Sequence, residues 1–551
     1  MPKKIVIIGG TAAGPKAASK ARRLDQKAEI TIIQKDNHLS VGSCGYPYYV
    51  SGDVRNANQL VLHDSNSFWA NKRINAITNT EAVKIDRKKK VVTYIDLKTN
   101  ESNNIKYDRL VIATGATAIK PPIPGIELDG VTAHTKIEEA CYLAKIQNVK
   151  EAVIVGGGLI GIETAEALTL KGIKTTIIEM QTQILQFLDP EIAALVEVRL
   201  EAKGVKIVTG KPVTEFLGKD GKIIGVKLAN GKKIEAQLAV LAIGVKPNVQ
   251  LAVDANLEIG KLGGIKVNNH LQTSDKNIFA AGDCIETIHR LTGEKVLAPF
   301  GDLANLQGRI VAQNLFSSHP KEYPGTILSG ICKVFDYSAG STGLNEKDAK
   351  RIGQPVETIV MSVNDKPSFM PDSKVLIIKL VVDPSSKLLL GVQCIGEGNT
   401  NRIITQAAIA IQAHQTIDDL VSADLPYAPP FSPAIDNLIT AAHIMENKLA
   451  GLFNGVSCLE LKQQLKSKKK LYILDVRTDS EFTDHRLDIG ETLIPLHELR
   501  ERAEELPTNK KQEIICYCRA ALRSYEAALI MNNLGHKNVK ILEGGILAWP
   551  F

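Results

Sequence analysis

The chain has 551 residues, 44% hydrophobic and 23% charged, with a formal net charge of +7 and eight cysteines. That composition is ordinary for a globular protein of about three to four domains, each able to bury a core. It argues against a disulfide-built secreted scaffold and a membrane protein. The cysteines have no regular spacing, and the apolar run 5–8 stops at glycines far short of a signal or spanning segment. A reducing, cytoplasmic location is expected, where isolated cysteines serve structure or catalysis. The lysine runs 88–90 and 468–470 read as solvated surface, and neither nucleic acid nor membrane is expected as a partner.

In chain order, residues 3–8 form a β-branched run, followed by Gly9-Gly10-Thr11-Ala12-Ala13-Gly14 and a helical stretch to residue 24. A second strand, 29–33, ends in Gln34-Lys35-Asp36. Next comes Ser43-Cys44-Gly45-Tyr46-Pro47-Tyr48-Tyr49, in which Cys44 has no second cysteine two or five residues away. A redox cycle there must borrow its second sulfur from the substrate. The first design then returns: strand 152–155, the turn Gly156-Gly157-Gly158-Leu159-Ile160-Gly161, a helix to about residue 171, strand 175–178, and Glu179. A glycine-rich turn at a helix N-terminus suits a pyrophosphate, so two such units imply two dinucleotides.

The two turns differ in strength. In the first, Gly9 and Gly14 hold the outer positions, but Thr11 replaces the middle glycine. Gln34 stands where an acidic residue would grip a ribose, and it can accept a hydrogen bond without the strength of a carboxylate. In the second, Gly156, Gly158 and Gly161 keep full spacing, and Glu179 follows about twenty residues on. A carboxylate there bonds a ribose diol and repels a 2′-phosphate. NADH is therefore expected over NADPH, with NADPH left open. Residues 326–447 change character, with strand-like runs at 327–335, 375–382 and 388–395, a helix at 401–413, and then Asp424-Leu425-Pro426-Tyr427-Ala428-Pro429-Pro430-Phe431. This reads as a separate α+β domain. After a linker-like stretch, residues 456–551 alternate strands (471–475, 513–517, 539–542) with helical patterns.

Two further strand-to-turn segments, Leu110-Val111-Ile112-Ala113-Thr114-Gly115 and Asn277-Ile278-Phe279-Ala280-Ala281-Gly282-Asp283, carry a resemblance to the pyridine nucleotide-disulfide oxidoreductase family. Around Cys44 and Tyr427-Ala428-Pro429-Pro430 the chain resembles the coenzyme A-disulfide reductase subfamily. The C-terminal part resembles a rhodanese domain, through Leu474-Asp475-Val476-Arg477, Glu481-Phe482, His485, Cys518 to Ser524, Glu543-Gly544-Gly545 and Trp549. Together these imply an α/β protein with two nested Rossmann-like nucleotide-binding domains, an α+β dimerisation domain and a C-terminal α/β rhodanese domain. The expected boundaries are 1–149 and 246–325 for an FAD domain in two parts, and 150–245 for an NAD(P) domain. Dimerisation is expected at 326–447, a linker at 448–455 and rhodanese at 456–551.

The resemblance also assigns roles. FAD would be held by Gly9, Gly14, Gln34, Thr114, Gly115, Gly282 and Asp283. The nicotinamide nucleotide would be held by Gly156, Gly158, Gly161 and Glu179, with Glu163 near the nicotinamide and flavin. Coenzyme A, as substrate or bound ligand, would meet Arg23, Ser40, Ser43, Lys72 and Arg309. NADH electrons would pass through FAD to a mixed disulfide on Cys44, whose thiol pKa is expected to be lowered by the ring and a nearby helix N-terminus. Tyr427 would reach the partner's active site across a homodimer. Cys518, cradled by Arg519, Ala520, Ala521, Leu522 and Arg523 ahead of a helix at 524–534, would carry sulfane sulfur. No metal is expected.

Two departures from the family pattern bear on substrate. A peroxidase relative carries an active-site histidine where this chain has Ala12, which argues for a thiol or persulfide over peroxide. The subfamily's second tyrosine is missing, since the corresponding stretch reads Pro367-Ser368-Phe369-Met370-Pro371. Coenzyme A persulfide or polysulfide is then favoured over the disulfide. Two other readings stand beside this one: an NADH oxidase or peroxidase using a Cys44 sulfenate, and a non-turnover redox sensor or sulfur-carrier scaffold.

Overall fold

The computed structural model describes residues 2–467 and 470–551, so Lys468 and Lys469 of the second lysine run lie outside the described residues. The chain divides into two compact units, Met1–Thr182 with Val205–Thr326 and Gln183–Gly204 with Ile327–Phe551. Among the described residues, no helix is long and apolar enough to cross a membrane.

In the first unit, β1 (Lys4–Ile8), α1 (Ala13–Leu24) and β2 (Glu29–Ile33) form a βαβ unit in which β1 and β2 pair in parallel from Lys4–Glu29 to Ile8–Ile33. The sheet has five parallel strands, in the order Ile278–Ala280, Arg109–Ile112, β1, β2, Asn75–Ile77. Its near-continuous isoleucine and valine runs are what a sheet buried on both faces requires. Beyond β2 lie the single turn Ser43–Gly45, α2 (Tyr46–Ser51) and α3 (Ser65–Lys72).

The second nucleotide unit follows the same plan, with β3 (Glu151–Val155), α4 (Leu159–Leu170) and β4 (Lys174–Ile178). Its five strands are also parallel, in the order Lys206–Val208, β4, β3, Leu238–Leu241, Val131–Ala133. Strand Ile278–Ala280 returns to the first sheet only after this unit is complete, so one nucleotide fold is inserted into the other. Two small three-stranded antiparallel sheets flank the parallel ones.

The second unit begins with α5 (Pro190–Ala202), a helix that lies in sequence between two strands of the second nucleotide sheet, β4 and Lys206–Val208, yet belongs with the C-terminal half. The first unit's last helix, α6 (Gly301–Asn314), precedes a five-stranded antiparallel sheet in the order Gly330–Val334, Tyr337–Gly343, Leu389–Gly396, Val375–Val382, β5 (Glu357–Asn364). Helix α7 (Asn437–Leu449) leads into a parallel sheet in the order Gly455–Val456, Val539–Leu542, β6 (Ile514–Tyr517), Tyr472–Asp475, Thr492–Leu493, with α8 (Leu522–Asn533) after β6. Sequence periodicity finds three strands in each of these sheets, and the structure has five. Tyr337–Gly343 carries two glycines, two serines and a threonine, and becomes a strand because it pairs on both sides. The two-residue strands are too short to show a period. The stretch read as a linker is occupied: α7 runs to Leu449, Phe453 joins a C-terminal core cluster and Gly455 pairs with Ile541.

Fastening within the second unit is electrostatic as well as apolar. Lys379 is 1% exposed, and its ammonium meets Asp189 at 2.9 Å together with Glu191 and Glu346. Burial alone would strip its proton, but Glu191, Asp189 and Glu346 hold its pKa above the ordinary lysine range. Gln393 donates to Asp189 at 2.6 Å, and the Glu346 N–H donates to it at 3.0 Å. These contacts pin α5 to the antiparallel sheet. Removing one partner of a buried ion cluster strands the others, at a cost of about 3–5 kcal/mol. Lys379→Met is therefore expected to lower the thermal midpoint of the second unit by several degrees, read by differential scanning calorimetry.

Candidate active site

The two glycine turns have one geometry because each must bring a helix N-terminus against a strand end. Gly9 has φ +109°, and a Cβ there would lie 1.9 Å from the Ala113 carbonyl oxygen. A Cβ on Gly14 would lie 1.9 Å from the Gly9 oxygen, and the pair Gly156 and Gly161 repeats the arrangement at 2.1 Å. At Gly158 the same position is open. Neither α1 nor α4 has a side-chain N-cap, whereas Asp64 caps α3. The first N–H groups of α1 and α4 are left for an anion.

Gln34 and Glu179 share a task that sequence reasoning did not foresee. The Gly10 N–H donates to Gln34 Oε1 at 2.7 Å, and the Gly157 N–H donates to Glu179 Oε2 at 2.8 Å. Each side chain thus braces its own turn, which needs an acceptor rather than a charge. Gln34 Nε2 donates to Asp36 at 3.2 Å, so a carboxylate does stand at this edge, two residues later than expected. Thr114 and Gly115 are held by Asn248, which the motifs did not single out. Thr114 Oγ1 donates to the Asn248 carbonyl at 2.6 Å, and the Asn248 N–H donates to the Gly115 carbonyl at 2.9 Å. Gly282 donates its N–H to Gln307 Oε1 at 2.7 Å. Burial raises the Asp283 carboxyl above its ordinary range.

Cys44 lies in the turn before α2, exposed and unbridged, as none of the eight cysteines forms a disulfide. Its Sγ is 3.8 Å from where a Cβ on Gly301 would sit, so the sulfur faces the first turn of α6. A helix N-terminus favours a thiolate there. The other protein groups around the sulfur act in the opposite direction. Burial pushes the Cys44 thiol up, and the carboxylates of Glu163, Asp283 and Asp302 push the same way. Tyr48 donates to Glu163 at 3.0 Å, tying the segment after Cys44 to the second nucleotide helix. The repeated tyrosines of Tyr46-Pro47-Tyr48-Tyr49 were the available signal for that link.

Of the residues expected at coenzyme A, Ser40 and Ser43 flank Cys44, with Ser40 held at φ +52° as its N–H donates to the Gly10 carbonyl. Lys72 donates to Ser19 at 3.1 Å, and the charge of Arg23 helps burial to lower its pKa, so Lys72 and Arg23 are neighbours. Arg309 is exposed on α6, eight residues beyond Gly301, or about 12 Å along the axis.

In the second unit, Tyr427 is 49% exposed and borders a cleft of about 280 Å³ with Pro426, Ile435 and His443. Phe431, four residues on, and Phe369, in an earlier loop, are each 72% exposed. Cys518 is 2% exposed, at the end of β6. Helix α8 starts at Leu522, two residues earlier than expected, because Ala521 turns the chain at φ +78°. This places Leu522 and Arg523 in the first turn, beyond Arg519 and Ala520. Both Arg523 terminal nitrogens donate to Glu481 at 2.7 Å, which pulls the Glu481 carboxyl down to about 2. Arg523 also reaches Cys518.

The chain belongs to the pyridine nucleotide-disulphide oxidoreductase family, whose model matches residues 3–297. Its dimerisation-domain model matches residues 330–439, and a rhodanese-like domain model matches residues 457–550. The NAD-dependent persulfide reductase structure from A. fulgidus is similar over 99% of this chain and 100% of its own, at 41% identity and a TM-score of 0.94. Two relatives at 33% identity cover 81% of this chain and 99% of their own length. They are a Methanocaldococcus jannaschii NADH oxidase and a Pyrococcus horikoshii NAD(P)H coenzyme A polysulfide/persulfide reductase. The family's cofactors are FAD and NAD(P)H. The uncapped helices and closed glycine turns fit the pyrophosphates of both.

Glu163→Gln keeps an acceptor for Tyr48 and removes a negative charge near Cys44. The pH midpoint for iodoacetamide alkylation of Cys44, followed by peptide mass spectrometry, is expected to fall relative to the parent protein. An unchanged or higher midpoint would contradict the electrostatic account.

Proposed function

We propose that this protein uses NADH to reduce sulfane or disulfide sulfur carried on coenzyme A at Cys44, and that Cys518 transfers sulfane sulfur in the rhodanese domain. The observation that carries the reading is the exposed, unbridged Cys44 beside the α6 N-terminus and the Tyr48–Glu163 link. The likeness to the A. fulgidus persulfide reductase and the P. horikoshii coenzyme A polysulfide/persulfide reductase supports it. We assign residues 1–149 and 246–325 to the FAD domain, 150–245 to the NAD(P) domain, 326–447 to dimerisation, 448–455 to the connection and 456–551 to rhodanese.

The chemistry balances with one protein thiol. The Cys44 thiolate attacks the carbon-bound sulfur of a coenzyme A persulfide, breaking its S–S bond, releasing hydrosulfide and forming a mixed disulfide. An electron pair from NADH cleaves that bond, giving Cys44 thiolate, coenzyme A thiol and NAD⁺. FAD, when bound, supplies the two-electron connection between nicotinamide and sulfur. Gly9, Gly14, Gln34, Thr114, Gly115, Gly282 and Asp283 would hold FAD. Gly156, Gly158, Gly161, Glu163 and Glu179 would hold the nicotinamide nucleotide, Glu179 by accepting from the ribose diol. Arg23 and Lys72 would meet substrate phosphates, with Arg309 further along α6 and Ser40 and Ser43 at the thiol end. A bound flavin ring would join the α6 end in favouring the Cys44 thiolate, against the burial and three carboxylates that raise its pKa.

The apolar exposure around Tyr427 and Phe431 supports a homodimer in which Tyr427 reaches the partner's active site. The relay from Cys518 to Cys44 through coenzyme A is part of the same proposal. A second reading, reduction of oxygen or peroxide through a Cys44 sulfenate, has the M. jannaschii relative behind it. Anaerobic NADH oxidation with coenzyme A persulfide and with polysulfide, coupled to hydrosulfide detection, distinguishes them. The parent protein is expected to release hydrosulfide and Cys44→Ser to fall to background, whereas NADH turnover that requires oxygen would favour the oxidase. Cys518→Ser is expected to slow hydrosulfide release from polysulfide at low coenzyme A and to leave reduction of preformed coenzyme A persulfide intact. Unchanged release at low coenzyme A would refute the relay.

A further inference from the structure

The sulfur loop at Cys518 is not held by its own domain alone. The turn Glu543-Gly544-Gly545 lies between that loop and β5, the edge strand of the antiparallel sheet. On one side, the Val360 N–H donates to Glu543 Oε2 at 3.0 Å, and Ser362 Oγ donates to the Gly544 carbonyl at 2.7 Å. Lys448 of α7 donates to Glu543 Oε1 and to the Thr358 carbonyl, both at 2.7 Å, and pairs with Glu357 at 2.9 Å. Two backbone groups on the free edge of β5, the Val360 N–H and the Thr358 carbonyl, are thereby paired, at an edge that would otherwise invite another strand. The Glu543 side chain is 2% exposed, so its charge is desolvated and depends on Lys448.

On the other side, the Ile546 N–H donates to the Cys518 carbonyl at 3.0 Å, and the Leu547 N–H donates to the Arg519 carbonyl at 3.3 Å. A peptide unit is planar and trans, so fixing a carbonyl fixes the following N–H in the opposite direction. The two bonds therefore set the N–H groups of Arg519 and Ala520, two of the loop's donors. There is little slack between the two faces. A Cβ on Gly545 would fall 2.5 Å from the Cys518 oxygen, and one on Gly544 would fall 3.2 Å from Val360 Cγ1 and 2.4 Å from Ala548 Cβ.

We propose that Glu543, Lys448 and Ser362 are positioning residues for sulfur transfer at Cys518, so that the antiparallel sheet and α7 complete the rhodanese loop from outside it. This rests on the reading that Cys518 transfers sulfur. Displacing the loop by a fraction of an ångström turns its donors from the anion they hold, and misplacement of that kind costs about ten- to hundredfold in rate.

The test uses the full-length protein, with thiosulfate as donor and cyanide as acceptor. Glu543→Gln is expected to lower kcat about tenfold or more with KM for thiosulfate little changed. It is also expected to raise the pH midpoint for alkylation of Cys518. Ser362→Ala, a milder change that leaves the ion pair, should move both readouts in the same direction by less. Lys448→Arg should retain parent behaviour where Lys448→Met does not. NADH-driven reduction of coenzyme A persulfide serves as the folding control. Parent values of kcat and alkylation midpoint in both Glu543→Gln and Ser362→Ala would overturn the brace alone. Failure of the parent protein to move sulfur from thiosulfate to cyanide would overturn the reading of Cys518, and the brace with it.

Discussion

A sulfur that has no cysteine to close upon must take its partner from solution, and that constraint organises the first unit. Cys44 sits in a short turn between two nucleotide folds, facing the first turn of α6, and all eight cysteines are free. The surrounding carboxylates and burial oppose its ionisation, while the helix end favours it. A flavin ring bound beside the sulfur would add to the side that favours the thiolate. Tyr48 and Glu163 connect the two regions directly.

The second unit uses buried charge for a different purpose. Lys379 gathers three carboxylates from α5, its connection and the start of a short helix, and Lys448 gathers Glu357 and Glu543. Both lysines join segments far apart in sequence. Buried ion pairs contribute little net stability against an apolar alternative, but they penalise wrong packing heavily. They suit a place where α5, an antiparallel sheet and a C-terminal domain must meet in one arrangement.

Much of the fold was legible because backbone closure leaves a sequence trace. Gly9 with Gly14 and Gly156 with Gly161 mark places where a Cβ would strike a carbonyl, so the glycines report the turns directly. Cys44 and Cys518 stood out for their neighbours, and Glu179 for its distance from its turn. What escaped was contact between segments distant in sequence. Nothing local marks Asn248 as the clamp on Thr114 and Gly115, or Lys379 and Lys448 as buried cations rather than surface charges. The motif likewise does not show that Gln34 accepts from the Gly10 N–H and so braces its own turn. The approach of Glu163, Asp283 and Asp302 to Cys44 has no local mark either, since all three lie far from it in the chain.

The most direct test is the mass of the Cys44 peptide after the purified protein meets coenzyme A disulfide without reductant, and again after NADH is added. The account predicts one coenzyme A joined to Cys44 by a disulfide, lost on addition of NADH with one NAD⁺ formed per adduct. A Cys44 peptide cross-linked to another cysteine of the chain, or an adduct that NADH leaves in place, would contradict it.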